Sequence, residues 1–203
     1  MSGYYVSGGQ VRSGVVLDDD GRMVIWSGGT ASDTTINDGR MDIWSGGTAS
    51  VTTIGDGDDV IWANKGDNLL FGDAGNDRIV GASGNDVIAG GIGNDSMHGG
   101  GGNDVFAFCD NWGTDTVQQL ETGTVMLWFV SGDKSNWNAS TLTYTDGDNS
   151  VKVSGVTAEQ VTLKFGDDES DRHVALSGMG AFDAFASQQI FEESGKGILA
   201  TLA

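Results

Sequence analysis

Residues 54–107 read IGDGDDVIW, ANKGDNLLF, GDAGNDRIV, GASGNDVIA, GGIGNDSMH and GGGGNDVFA, six nine-residue units without a gap. The fourth position is glycine in every unit: Gly57, Gly66, Gly75, Gly84, Gly93 and Gly102. The sixth is Asp59, Asn68, Asp77, Asp86, Asp95 and Asp104, and the eighth is Ile61, Leu70, Ile79, Ile88, Met97 and Phe106. They follow the nonapeptide template G-G-x-G-x-D-x-U-x. Glycine opens positive φ in the turn and lets neighbouring backbones approach. The carboxylates are hard oxygen donors, suited to Ca²⁺, which takes about six to eight oxygens, main-chain carbonyls included. The eighth residue points inward from a short strand while its neighbours point outward. One unit is thus a half-coil, a turn and a strand with one core residue. Two units close an 18-residue coil. The fold class expected is all-β, a parallel β-roll or β-solenoid.

These units resemble the RTX repeats of proteins exported by type I secretion. The resemblance implies several calcium ions, roughly three to five, held between turns one coil apart. Asp59, Asp77 and Asp95 line one edge, and Asn68, Asp86 and Asp104 the other. Full sites are expected between 59 and 77, 77 and 95, and 86 and 104; Asn68 weakens the 68/86 site by one charge. The family pattern adds carbonyls of the first and third turn residues: Gly72 and Ala74, Gly81 and Ser83, Gly90 and Ile92, Gly99 and Gly101.

The 18-residue step begins earlier. RMVIWSGGTASDTTI at 22–36 recurs as RMDIWSGGTASVTTI at 40–54. Carried forward, the step aligns Ile25, Ile43, Ile61, Ile79 and Met97 as a core column, and Gly21, Gly39, Gly57, Gly75 and Gly93 as a turn column. Trp26, Trp44 and Trp62 form a third, followed by Val80 and His98. One continuous solenoid is expected from Tyr4 to Phe108, with a first step of 20 whose excess falls in the Asp18–Gly21 loop. Met23 and Met41 occupy the column of Asp59, and Ser32 and Ser50 that of Asn68, so these coils are expected to be metal-free. Their SGGTAS phrasing resembles the AIDA-type repeats of bacterial adhesins. That resemblance makes Thr30, Ser32, Thr48 and Ser50 candidate glycan acceptors. The Trp column is expected to face outward. It binds a glycan or a partner protein, or lies under the C-terminal β segment, or stabilises its coils by stacking; the structural readings are favoured.

The net charge is −19, 34 of 203 residues are Gly, and Pro is absent. Nine Asp against Lys65 and Arg78 fall within 55–104. Without a cation such turns repel, so the stretch is expected to be disordered when metal-free and to fold on calcium, binding energy becoming folding energy. Cys109 is the sole cysteine, which excludes an intrachain disulfide. MSGYYVSGGQ has no basic n-region or apolar core, so no cleavable signal peptide is expected, and no apolar run is long enough for a membrane span.

The organisation expected is metal-free coils over 1–53, a calcium roll over 54–108, a β cap over 109–170 and a type I secretion signal over 171–203. The cap rests on VMLWF, STLTYT, SVKVSG and QVTLKF, with a DGDN turn. A short C-terminal helix is expected from the stripe Phe182, Phe185, Ala186 and Ile190.

Catalysis finds no support. His98 and His173 lie in no metalloprotease spacing, Cys109 has no histidine near it in sequence, and GIGNDSMHGG precedes a strand rather than a helix. An acidic chain is not a nucleic-acid binder. The expectation is a non-enzymatic, calcium-folded extracellular protein, secreted or at the cell surface, adhesin-like or structural, with the type I secretion machinery as a partner. The alternative is the C-terminal calcium-binding and export module of a larger secreted enzyme. A further alternative is a homo-oligomer, a fibre built head to tail through the edge around Tyr4–Val11. The start of the first coil right after the initiating Met favours a complete small protein.

Overall fold

The computed structural model describes residues 3–165 except 18–20, 27–28, 37–38, 44–47, 55–56, 64 and 110. The expected C-terminal helix and secretion signal lie outside them, as do Trp44 and the side chains of Ser32, Thr48 and Ser50. The chain winds as a parallel β-solenoid with two faces. The first face stacks Gly3–Val6, Gly21–Ile25, Gly39–Ile43, Val60–Trp62, Arg78–Ser83 and the start of Ser96–Phe108. The second stacks Val11–Ser13, Val16–Leu17, Thr30–Ile36, Thr48–Ile54, Leu69–Ala74, Val87–Ile92 and the end of Ser96–Phe108. Among the described residues no helix is long and apolar enough to cross a membrane.

The register corrects the core column. Within each family of coils the step is 18, as Met23↔Met41 and Ile61↔Ile79 show. At the junction Met41 pairs with Ile61 and Asp42 with Trp62, a step of 20. The inward row of the first face is therefore Met23, Met41, Ile61, Ile79, Met97, Val117 and Val153, all buried. Ile25 and Ile43 form a second inward row, and by the same register that row continues as Ala63. Met23 and Met41 thus stand in the core, where an apolar thioether packs well, and not at the aspartate position. Continuing the register puts Gly21 and Gly39 beside Asp59, so the upstream turns still offer no ligating side chain there.

The slip has a structural origin. From Val24 on the first face to Thr35 on the second is 11 residues, and from Thr35 to Asp42 is 7. From Trp62 to Phe71 and from Phe71 to Val80 are both 9. The coils upstream divide 18 unequally, the nonapeptide coils evenly. The arc from Thr53 to Trp62 already has the longer form, which adds two residues at the junction. The second face keeps its step of 18 through Thr53↔Phe71. The first step is 19, not 20, since Tyr4 pairs with Met23 and Val11 with Thr30; the extra residue falls between Leu17 and Gly21, in the expected loop.

This register also breaks the tryptophan column. Trp62 lies beside Asp42 and Val80, two residues out of line with the row of Trp26. Both rings are outward, 43% and 42% exposed. Trp62 takes the Arg40 guanidinium at 5.9 Å from its ring. Asp42, 6% exposed, accepts from Arg22 Nε at 2.9 Å and Arg40 Nε at 2.7 Å. Burial pushes this carboxyl up, but the two guanidinium hydrogen bonds outweigh it and hold the group below the usual carboxylate range.

Residues 111–165 close the end of the roll by extending it. Thr114–Gln118 and Asn149–Ser154 continue the first face in parallel, and Gly123–Phe129 and Val161–Phe165 the second. Between them Trp137–Asn138 and Thr143–Asp146 make an antiparallel excursion. Phe108, Trp112, Phe129, Tyr144 and Phe165 cluster there, edge-on, tilted or stacked, with centroids 4.0–5.7 Å apart between successive rings.

Candidate metal centre

The turns at Gly66, Gly75, Gly84, Gly93 and Gly102 hold positive φ, which favours glycine. Gly75 and Gly84 have φ of +140°, and a Cβ on either would overlap the carbonyl of the turn one coil earlier, Gly57 or Gly66. That close approach lines the sixth-position side chains into two ladders. Asp77 Oδ1 accepts the Asp59 N–H at 2.9 Å, and Asp95 Oδ1 accepts the Asp77 N–H at 2.8 Å. On the other edge Asp86 Oδ1 accepts from Asn68 N at 2.8 Å and Asp104 Oδ1 from Asp86 N at 2.9 Å. Each edge therefore gathers the residues expected on it.

Each of these carboxylates uses one oxygen for its ladder bond. The second oxygen, Oδ2 of Asp77, Asp86, Asp95 and Asp104, is buried and accepts no hydrogen bond. It points at the first glycine of its own unit: a Cβ on Gly72, Gly81, Gly90 or Gly99 would overlap Oδ2 of Asp77, Asp86, Asp95 or Asp104. The Gly90 carbonyl faces the same spot beside Gly72, and the Gly99 carbonyl lies 3.0 Å from the corresponding spot beside Gly81. Third-position carbonyls of Ala74, Ser83, Ile92 and Gly101 accept the N–H of Gly57, Gly66, Gly75 and Gly84 at 2.7–2.9 Å. Each keeps a second lone pair.

Burial is the largest influence on the carboxyls. It pushes Asp77 up to about 8, Asp86 to about 7 and Asp95 to about 6, against the opposing ladder bonds, and raises Asp104 as well. A buried carboxylate oxygen without a donor is costly. A hard cation beside it removes that cost. Among the described residues no three His, Cys, Asp or Glu side chains converge. An ion held here takes most of its oxygens from the main chain, the donor set Ca²⁺ accepts and thiolate-seeking metals do not. The residues fit calcium.

Asn68 departs from the pattern. Its amide donates to Gly66 O at 2.6 Å and to Asp86 Oδ1 at 2.9 Å, filling with N–H groups a place where the other edge has a carboxylate.

Two features escaped the sequence reading. Asp115 continues the Asp59–Asp77–Asp95 ladder: its Oδ1 accepts the Asp95 N–H at 2.8 Å, its Oδ2 is buried without a donor, and burial raises it to about 8. The step of 20 from Asp95 hid it from a nine-residue period. Fifth-position residues also stack, Asn76 N on Asp58 Oδ1 at 2.7 Å and Asn94 N on Asn76 Oδ1 at 3.0 Å, an outer ladder on the exposed side of the turns.

The RTX calcium-binding nonapeptide repeat matches residues 53–88 and again 71–106. The family described as "Adhesin of bacterial autotransporter system, probable stalk" matches residues 2–58. No curated protein matches the chain. Residues 2–58 are thus similar to the adhesin stalk and residues 53–106 to the RTX calcium-binding nonapeptide repeats, and neither kind of repeat is catalytic in itself.

Proposed function

We propose that this is an extracellular, adhesin-like or structural surface protein that leaves the cell unfolded by type I secretion and whose roll closes on calcium outside. The observation that carries the reading is the set of buried carboxylate oxygens aimed at turn carbonyls with no donor to satisfy them. Comparison of the two kinds of coil supports it. Upstream coils bury two large apolar side chains per first-face strand, Met23 with Ile25 and Met41 with Ile43. In the nonapeptide coils the second place falls to Ala63, and by register to Gly81 and Gly99. A buried Ile contributes roughly 1.5–3 kcal/mol. The calcium coils forgo that and gain room for the ion, so they depend on it where the stalk coils do not. Both kinds of repeat are typical of secreted or surface-associated proteins, which supports the location.

In this reading the ions sit along both edges, bound by Asp59, Asp77 and Asp95 and by Asn68, Asp86 and Asp104, with the carbonyls of Gly72, Ala74, Gly81, Ser83, Gly90, Ile92, Gly99 and Gly101. The test is far-UV circular dichroism during a calcium titration of the parent and of a chain carrying both Asp77→Asn and Asp86→Asn. The parent gains β signal with calcium, and the double variant needs a much higher concentration. A parent spectrum insensitive to calcium and to chelator overturns the reading.

A further inference from the structure

The nonapeptide pattern ends at Ala107, and Val125 stands where the next coil would place its carboxylate, paired with Asp104. The last rung on this edge, at Asp104, is nevertheless not left open. Gln119, 0% exposed, lies one coil beyond Gly99. Its Oε1 is buried and accepts no hydrogen bond, while Nε2 donates to Gly102 O at 3.3 Å. The space beside Gly99 is bounded by two oxygens, Asp104 Oδ2 and Gln119 Oε1. On earlier rungs the second oxygen there is a main-chain carbonyl of the following coil, Gly90 O beside Gly72 and Gly99 O beside Gly81. A side-chain amide oxygen thus occupies the place of a turn carbonyl. Glu121 Oε2 lies 2.6 Å from where a Cβ on Gly101 would be, two residues along the same turn from Gly99.

We propose that Asp104, Gln119 and Glu121 form a terminal calcium site outside the repeat pattern, in which the Gln119 amide oxygen replaces the missing turn carbonyl and closes the ion ladder against solvent. An amide oxygen is a normal calcium ligand. Asp104 Oδ2 and Gln119 Oε1 are both buried without a hydrogen-bond partner, and a cation between them would satisfy both at once. The proposal rests on the repeats binding calcium, and its failure is separable from failure of that reading.

The experiment counts bound calcium by native mass spectrometry and measures affinities by isothermal titration calorimetry, on the full chain refolded in calcium, for the parent, Gln119→Leu and Gln119→Glu. A parent that binds no calcium sinks both readings together. If the parent binds, the expected results are that Gln119→Leu holds one ion fewer at moderate calcium and that Gln119→Glu binds its last ion about tenfold tighter, since ligand charge tunes calcium affinity. Unchanged stoichiometry and affinity in Gln119→Leu overturn the terminal site and leave the repeat sites standing. Should Gln119→Leu fail to fold in saturating calcium, Gln119→Glu decides: tighter binding of one ion supports the site, and parental affinity throughout overturns it.

Discussion

At the residue scale, the chemistry of the turns turns on which oxygen is already in use. Asp77, Asp86, Asp95 and Asp104 each spend Oδ1 on the N–H of the turn before them, so the second oxygen of each alone faces the candidate ion. Asn68 is the exception, because its amide donates to Gly66 O and Asp86 Oδ1 and needs no cation to be satisfied. Replacing it therefore has opposite effects in the two states. In Asn68→Asp without calcium, both donated hydrogen bonds vanish and a second charge faces Asp86, costing about 1–3 kcal/mol. With calcium, the added carboxylate completes the 68/86 site and strengthens binding about tenfold. Circular dichroism in chelator and in limiting calcium checks this: the variant holds less β signal than the parent in the first and more in the second. A change of the same sign in both conditions would rule out a cation at that rung. The carboxylates of these ladders were legible in the sequence because their period is fixed at nine. Asp115 and Gln119 were not, because each is reached by a step of 20 and carries no repeat signature of its own.

At the scale of the coil, stacking depends on glycines whose replacement no rearrangement of side chains could relieve. The Gly75 turn meets the backbone of Gly57 directly, at φ +140°. Gly75→Ala adds both backbone strain, about 1–3 kcal/mol, and a clash with a carbonyl of the previous coil. The expected outcome is a calcium titration displaced to higher concentration with a smaller final β signal, while Gly147→Ala, whose Cβ would meet nothing within 4 Å, leaves the calcium midpoint unchanged. Equal calcium midpoints for the two variants would remove the close approach from the account. The coil scale also shows why the sequence column slipped. A period of 18 holds on both sides of the junction, and the eye carries it across. Strand pairing instead follows how each coil divides between its two faces, and that division changes from 11 and 7 to 9 and 9 at Thr53–Trp62. Nothing in a list of columns reveals the division, since both sum to the same repeat. Ile43 and Ile61 were legible as inward residues and are buried, whereas Met41, read at the aspartate position, and Ala63 were placed in the core only by the register.

At the scale of the whole molecule, a chain of net charge −19 keeps its buried carboxylates against burial only by binding something positive. Protons and calcium compete for that role. In the metal-free fold, burial first of all lifts Asp77 and Asp115 to about 8, Asp86 to about 7 and Asp95 to about 6, from 3.8 when solvated. A carboxyl with a raised folded-state value binds its proton more tightly folded than unfolded. It therefore adds stability that is complete below the solvated value and disappears as pH rises through the folded one. In chelator, the β signal of the roll is expected to be highest near pH 4 and to fall steadily as pH climbs from about 4 to 8. In excess calcium the ion takes the place of the protons, and the β signal holds across the same window. Calcium affinity rises with pH through it, and binding near pH 6 to 7 releases protons, seen as calorimetric heats that differ between buffers of different ionisation enthalpy. A chelated protein whose β signal rose with pH over that window would show that these carboxylates are satisfied within the fold, and that the cation is not what closes the roll.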